Sequence, residues 1–302
     1  MQRKVFSEIL IYFPDDVKKE FEIVPAEIWE ESKEIRIRAE RKISINCFSK
    51  EYILNQIAST EMILRLVENF SENSLYSFQK EINEGFITLK GGHRVGISGT
   101  SVIENEKIKN IKYISSLNIR IAREVKCCAQ KLLDKIYKDE FENTLIISPP
   151  GCGKTTLLRD CIRFISDGYK NLNGKNIGLV DERSEIAAMY KGIPQNDIGM
   201  RTDIINNCKK DIGMRMMIRS MGPDVIATDE IGSVEDVNAI LDACTAGIKL
   251  LLTSHGSELS DMPKVLFENK IFSNVVLLNK EKIPGEIKKL YRLENNEYVV
   301  VC

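Results

Sequence analysis

The rhythm of apolar and polar positions changes twice along this 302-residue chain. From Ser59 to Glu84, apolar Met62, Leu66, Val67 and Phe70 recur at the spacing of one helix face, and Ser59 or Thr60 offers a cap at the start. Gly85 ends that pattern. From Phe86 to Glu124 apolar and polar residues alternate around the Gly91–Gly92 pair, which predicts a small antiparallel sheet. Residues 1–50 read as mixed structure, with a helix near Met1–Tyr12 and a strand-like alternation over Ile35–Ala39. The second change comes at Arg123. Lys126–Glu140 is amphipathic, and then short apolar runs (Thr144–Ser148, Asn176–Asp181, Asp224–Asp229, Ile248–Ser254) alternate with helical segments. Such β-α-β alternation predicts a mostly parallel sheet covered on both faces. The tail from Asn274 to Cys302 reads as antiparallel strands with turns at Pro284–Gly285 and Asn295–Asn296. The expected organisation is α/β: a smaller α+β domain over 1–124 and a parallel-sheet domain over 125–302.

Composition narrows the class without choosing a function. With 43% apolar and 29% charged residues, the chain can build real cores. Lys and Arg number 43 against 44 Asp and Glu, so the net charge of -1 gives a nucleic-acid reading no support. No uncharged apolar run approaches the ~18 residues that cross a bilayer. The first residues meet Glu8 and further acids with no small-residue cleavage site, so neither a signal peptide nor direct membrane insertion is expected. Eight cysteines without framework spacing, and only two histidines, predict reduced thiols and no zinc site.

The most specific chemistry lies in TLIISPPGCGKTTLLRD, residues 144–160. An apolar strand runs into a glycine-rich turn, and Lys-Thr-Thr opens a helix. A phosphate-binding loop needs exposed backbone N–H groups, a helix N-terminus aimed at the anion and a lysine reaching the terminal phosphates. Pro150, Gly151, Cys152, Gly153, Lys154, Thr155 and Thr156 are the expected nucleotide-binding residues, for ATP with Mg²⁺. The pattern G-x-x-x-x-G-K-[ST] is broken at its first position, which is Ser148.

Two further apolar strands end in acids. In PDVIATDEIG, Asp229 and Glu230 emerge where doubly wound sheets bind ligands. Asp229 is expected to share Mg²⁺ with Thr155, and Glu230 to orient or deprotonate water. In NIGLVDERSEIA, Asp181, Glu182 and Glu185 reach the same edge, so Glu182 competes with Glu230 as the base. Arg183 there reads as a surface ion-pair partner. LLLTSHG places His255 at a strand end, suited to sensing a terminal phosphate; His93 is given no chemical role. Arginines able to stabilise a phosphoryl transition state are Arg94, Arg120 and Arg123 before the second domain, and Arg201, Arg215 and Arg219 within it. The locally basic stretch that carries the last three suits a subunit interface.

Taken in order, GGHRVGISGT, ISSLNIRIARE, PPGCGKTTLLRD, VDERSEIA, MGPDVIATDEIG and LLTSHG resemble the stage III sporulation protein AA family. That family is similar to the hexameric, RecA-like ATPases of type II and type IV secretion. The resemblance implies a RecA-like P-loop core behind a small N-terminal domain that lends Arg94 and Arg120 to the nucleotide. Asp181–Glu182 would take the place of an acidic box and His255 that of a histidine box. It also implies a homo-oligomeric, hexameric ring on the mother-cell side, peripheral to the membrane and working with the membrane-embedded subunits of a mother cell–forespore channel. The acidic box VDERSE and the Asp229–Glu230 pair depart from the secretion pattern. The expected activity is ATP hydrolysis that drives assembly or transport. A nucleotide-dependent scaffold without turnover and a nucleic-acid-dependent RecA- or AAA-type ATPase are the alternatives.

Overall fold

The computed structural model describes residues 7–72, 85–104, 106–279 and 285–301. Two compact units result: Met1–Arg123 with Met189–Gln195, and Glu124–Ala188 with Asn196–Cys302.

In the first unit, α1 (Asp15–Glu22) and α2 (Ala26–Glu31) lead into β1 (Ser32–Arg38), β2 (Arg41–Cys47) and β3 (Glu51–Ala58). Helix α3 (Thr60–Phe70) follows, then β4 (Phe86–Thr88), β5 (Arg94–Glu104) and β6 (Lys107–Arg120). The six strands form one antiparallel sheet in the order β3-β2-β1-β6-β5-β4. Strict alternation explains its two faces: Ile35, Ile37, Val95, Ile97, Leu117 and Ile119 are buried, while Arg36, Arg94, Asn118 and Arg120 point the other way. Helix α3 lays Met62, Ile63, Leu66, Val67 and Phe70 into this core, and Ser59 caps it by accepting the Met62 N–H. The remainder of the helix expected over 59–84, the first six residues and the turn at Pro284 lie outside the described residues. The region read only as mixed structure contributes β1 and β2, two of the six strands, and neither β2 nor β3, which follows it, was foreseen as a strand.

The second unit is the larger. Its elements are α4 (Gln130–Ile136), β7 (Thr144–Ser148), α5 (Lys154–Asp167), the two-residue pair β8 and β9 (Gly168–Tyr169, Leu172–Asn173) and β10 (Ile177–Asp181). The hairpin β11–β12 (Met189–Tyr190, Ile193–Pro194) groups with the first unit. Then come β13 (Thr202–Asn206), α6 (Lys210–Ser220), β14 (Val225–Thr228), α7 (Val234–Thr245), β15 (Lys249–His255) and α8 (Lys264–Glu268). Strands β16 (Asn274–Leu278), β17 (Ile287–Glu294) and β18 (Glu297–Val300) end the chain. The eight-stranded sheet runs β13-β10-β14-β15-β7-β16-β17-β18, parallel from β13 through β16 and antiparallel beyond. The first tail strand therefore joins β7 in parallel before the chain turns back. Edge strand β13 lies in a segment whose sequence showed only a basic stretch; half-exposed Thr-Asp-Ile-Ile-Asn has no alternation to betray it. The helix expected over Lys126–Glu140 is confined to α4.

Strands β7, β10 and β14 are buried at every position, as strands covered on both faces must be. Parallel pairing aligns their carboxyl ends, and the register sets His255 beside Ser148. Among the described residues no helix is long and apolar enough to cross a membrane.

One close approach fixes α6 on the sheet. A Cβ at Gly213 would lie 2.5 Å from Val180 Cγ1, itself fully buried. Overpacking of that kind costs about 1–3 kcal/mol, and alanine's better helix propensity returns about 1. Gly213→Ala is expected to lower stability by up to about 2 kcal/mol, read as an earlier urea midpoint with an unchanged slope.

Candidate active site

The site is built where β7 gives way to α5. Gly151 and Gly153 take left-handed φ of 78° and 83°, which lets Ser148–Gly153 wrap tightly and Gly153 cap the helix without a side chain. An added Cβ at Gly151 would meet nothing within 4 Å, so the loop's crest is open to a ligand. The first N–H groups of α5 have no acceptor within the helix and carry its positive end. Ser148 is absent from the positive-φ residues, so the backbone at that first motif position does not require glycine.

Lys154 is buried, yet its ammonium is satisfied. Nζ donates to Ser148 O at 3.0 Å and lies 3.1 Å from His255 Nδ1. An ammonium has no acceptor, so Nδ1 must accept, and the imidazole proton sits on Nε2. There it faces Glu230 Oε1 at 3.1 Å. The other oxygen, Glu230 Oε2, accepts from Arg183 Nη1 at 2.8 Å. A continuous chain results: Lys154, His255, Glu230, Arg183. Burial lowers the Lys154 pKa, opposed first by the Glu230 charge. Glu230 holds a left-handed φ of 49°, pinned by its N–H donating to Thr253 Oγ1 at 2.9 Å.

The other acids divide by role. Asp181 is fully buried and accepts the N–H groups of Glu185, Ile186 and Ala187 at 2.9, 3.1 and 2.9 Å, which anchors the turn after β10. Glu182 pairs with Lys210 of α6 rather than joining the chain of contacts from Lys154. Asp229 is buried, and its pKa is pushed up to about 6, first by burial and then by the Asp181 and Glu230 charges. A buried carboxylate among other acids, close enough to Lys154 for their charges to interact, suits a divalent ion. Nothing groups three or more ligating side chains into a ready-made metal cage among the described residues. The donor set fits Mg²⁺ held largely by water and phosphate oxygens.

Arg94 and Arg120 belong to the first unit, where they are directly opposite across β5 and β6. Arg94 lies over the Phe86 ring, 5.1 Å from its centroid. Three of the other candidate arginines are committed elsewhere: Arg123 donates to Ser32 O and Trp29 O, Arg201 to Ser166 O, and Arg215 pairs with Asp242. Arg183 forms a surface ion pair, as expected, and its partner is Glu230. Lys210, at the start of α6, was not foreseen, and no local signal marked it.

The mixed α/β, RecA-like fold is shared with two solved proteins. The ATPase DotB of Yersinia pseudotuberculosis superposes with a TM-score of 0.60 at 13% identity, over 94% of this chain and 81% of that one. The pilus retraction motor PilT, solved with bound ADP, gives 0.57 at 13% identity, over 95% and 80%. Sequence goes further than fold. Residues 16–298 match the model described as sporulation stage III, protein AA. Stage III sporulation protein AA of Bacillus subtilis (strain 168) is 39% identical over 295 residues, 96% of each chain. The chain belongs to the stage III sporulation protein AA family.

The Asp229 shift makes a stability prediction with a defined sign. A carboxyl whose folded pKa is raised from 3.8 to about 6 costs stability when ionised. That cost is greatest above pH 6 and shrinks as pH falls from 6 towards 4. In metal-free buffer Asp229→Asn should therefore be more stable than the parent at pH 7, by up to about 3 kcal/mol. Urea unfolding at pH 7 and pH 5 checks it: the gap must narrow at pH 5, and a gap that widens would contradict the assignment.

Proposed function

We propose that the chain binds ATP with Mg²⁺ and hydrolyses it as a ring-forming motor. The observation that carries this reading is the Lys154–His255–Glu230–Arg183 chain at the aligned ends of β7, β14 and β15. Bound nucleotide supplies a terminal phosphate that competes for the Lys154 ammonium. The α5 N-terminus with Gly151 and Gly153 would cradle the phosphates, and Thr155 and Asp229 would hold Mg²⁺. When Lys154 turns towards phosphate, His255 Nδ1 loses its donor, and the imidazole is released to follow the anion. Glu230 then gives up its Nε2–H partner and gains a free oxygen with which to orient or deprotonate water. His255 thus senses the phosphate and Glu230 acts on it; Glu182, held by Lys210, is the weaker candidate for base. Arg94 and Arg120, from this chain or a neighbour, would stabilise the transition state.

Family membership supports the setting proposed for the motor: assembly of, or transport through, the channel between mother cell and forespore, with membrane-embedded subunits as partners and a hexameric ring as the working form. Exposed Ile212 and Met216 on α6, four residues apart, favour self-association. One observation favours the scaffold alternative: both Glu230 oxygens are already engaged, by Arg183 and His255. If neither partner releases it, nucleotide binds without turnover.

Mg²⁺-dependent hydrolysis measured against protein concentration separates these readings. The motor reading expects a more-than-linear rise and loss of activity, on the order of 10²-fold or more, in Lys154→Ala and Glu230→Gln. Activity that survives Glu230→Gln but not Glu182→Gln would transfer the base to Glu182. Tight ATP binding with no turnover would select the scaffold.

A further inference from the structure

The turn that carries Arg94 is held by two side chains with no role in the reading above. Leu89–Arg94 closes through Leu89 N–H to His93 O at 2.7 Å and Gly92 N–H to Leu89 O at 3.0 Å, with Gly91 and Gly92 at φ of 85° and 79°. His93 is buried, and its Nδ1 accepts the Ala122 N–H at 3.0 Å. Ala122 stands two residues beyond Arg120, so one imidazole fixes both arginine-bearing segments together. Its Nε2 faces Glu8 Oε2 at 3.5 Å. On the other side, Gln195 Oε1 accepts the Gly91 N–H at 2.7 Å, and Gln195 Nε2 donates to Ile193 O at 3.0 Å, which locks the amide's orientation.

Gln195 ends the hairpin excursion Met189–Gln195, and the excursion's roots lie at the phosphate loop's own framework. Asn196 closes them by donating from its backbone to Ala187 O at 3.1 Å and from Nδ2 to Ile186 O at 2.8 Å. Arg159, on the helix that opens at Lys154, donates to Ile186 O and Glu185 O, both at 2.6 Å. The Asp181 carboxylate holds the same turn to the end of β10. Within the first unit the hairpin is fastened by Tyr190 and Lys191, which both bond the Glu72 carboxylate.

We propose that Met189–Gln195 is a strap carrying the state of the phosphate loop to the Arg94–Arg120 pair, with Gln195 and His93 as the positioning residues at its receiving end. The strap is covalent at its roots, fastened in its middle to the Glu72 side chain, and joined at its receiving end to the Gly91 backbone. A shift of α5 is transmitted through Arg159 to carbonyls 185 and 186, along the hairpin, and into the Gly91 N–H. Arg94 follows three residues later. The inference rests on the reading of the loop as an ATP site.

Hydrogen exchange of the full-length chain, with and without Mg²⁺ and a non-hydrolysable ATP analogue, tests it alongside steady-state kinetics. In the parent chain the analogue should slow exchange over 89–94. Gln195→Ala should still bind the analogue but lose that protection, and kcat should fall on the order of 10²-fold while KM holds, as misplacement of a transition-state group does. Gln195→Glu, which keeps the acceptor, should restore both. His93→Asn, whose Oδ1 can stand in for Nδ1, should retain more kcat than His93→Ala. Parent-like protection and kcat in Gln195→Ala would overturn the strap. So would equal damage in Gln195→Ala and Gln195→Glu, which would mark a purely structural contact. A parent chain that binds no ATP would overturn the underlying reading instead, and normal binding separates the two failures.

Discussion

A buried ammonium has to be solvated by the protein, and the architecture of the second unit answers that requirement at Lys154. Transferring an unpaired cation out of water costs several kcal/mol at least, so the lysine can sit at the sheet's edge only where acceptors converge. They converge because the strands are parallel. Parallel pairing brings Ser148, Asp229 and His255 to one edge, and the β7–β15 register sets the histidine beside the loop's first residue. A slip of one residue would turn His255 to the opposite face and leave the lysine with a single carbonyl. The same convergence makes the site responsive, since each acceptor of Lys154 is one that an arriving phosphate can replace.

That responsiveness is held against stability. Asp229 is kept buried among like charges, Glu230 is kept in a left-handed conformation, and neither makes folding easier. Asp181 is the contrast. It lies as deep as its neighbours but spends its carboxylate on three backbone N–H groups, so its charge stiffens a turn rather than waiting for a ligand. Three acids at one edge thus divide into an anchor, a candidate metal ligand and a candidate base, according to what surrounds each of them.

The sequence shows some of this and hides the rest for a physical reason. Apolar runs fully buried on both faces announce β7, β10, β14 and β15, and the Gly-x-Gly-Lys-Thr turn announces the loop, because each signal is local. Ser148 looked like a defect in the motif, yet its backbone has no need of glycine and it contributes through its carbonyl, which any residue has. Arg183 read as a surface ion-pair partner, which it is, but nothing local could name its partner, Glu230, 47 residues on. The edge strand β13 and the hairpin at 189–195 are defined by hydrogen bonds to distant segments, and no periodicity within them records that. His93 was passed over because burial and an Ala122 partner are tertiary facts.

Charge shows the same division between what is summed and what is placed. A net charge of -1 suggests an electrostatically neutral molecule. The first unit's sheet nonetheless sets Arg94 directly opposite Arg120, an arrangement that costs free energy across a strand pair. Glu34 stands on the far side of Arg120, but its oxygens already accept from Arg36, Asn46 and Asn118. Backbone register fixes the two Cα positions, and the long side chains have room to diverge from there, as Arg94 does over the Phe86 ring. The register thus concentrates two cationic residues at one point of a chain whose charges nearly cancel.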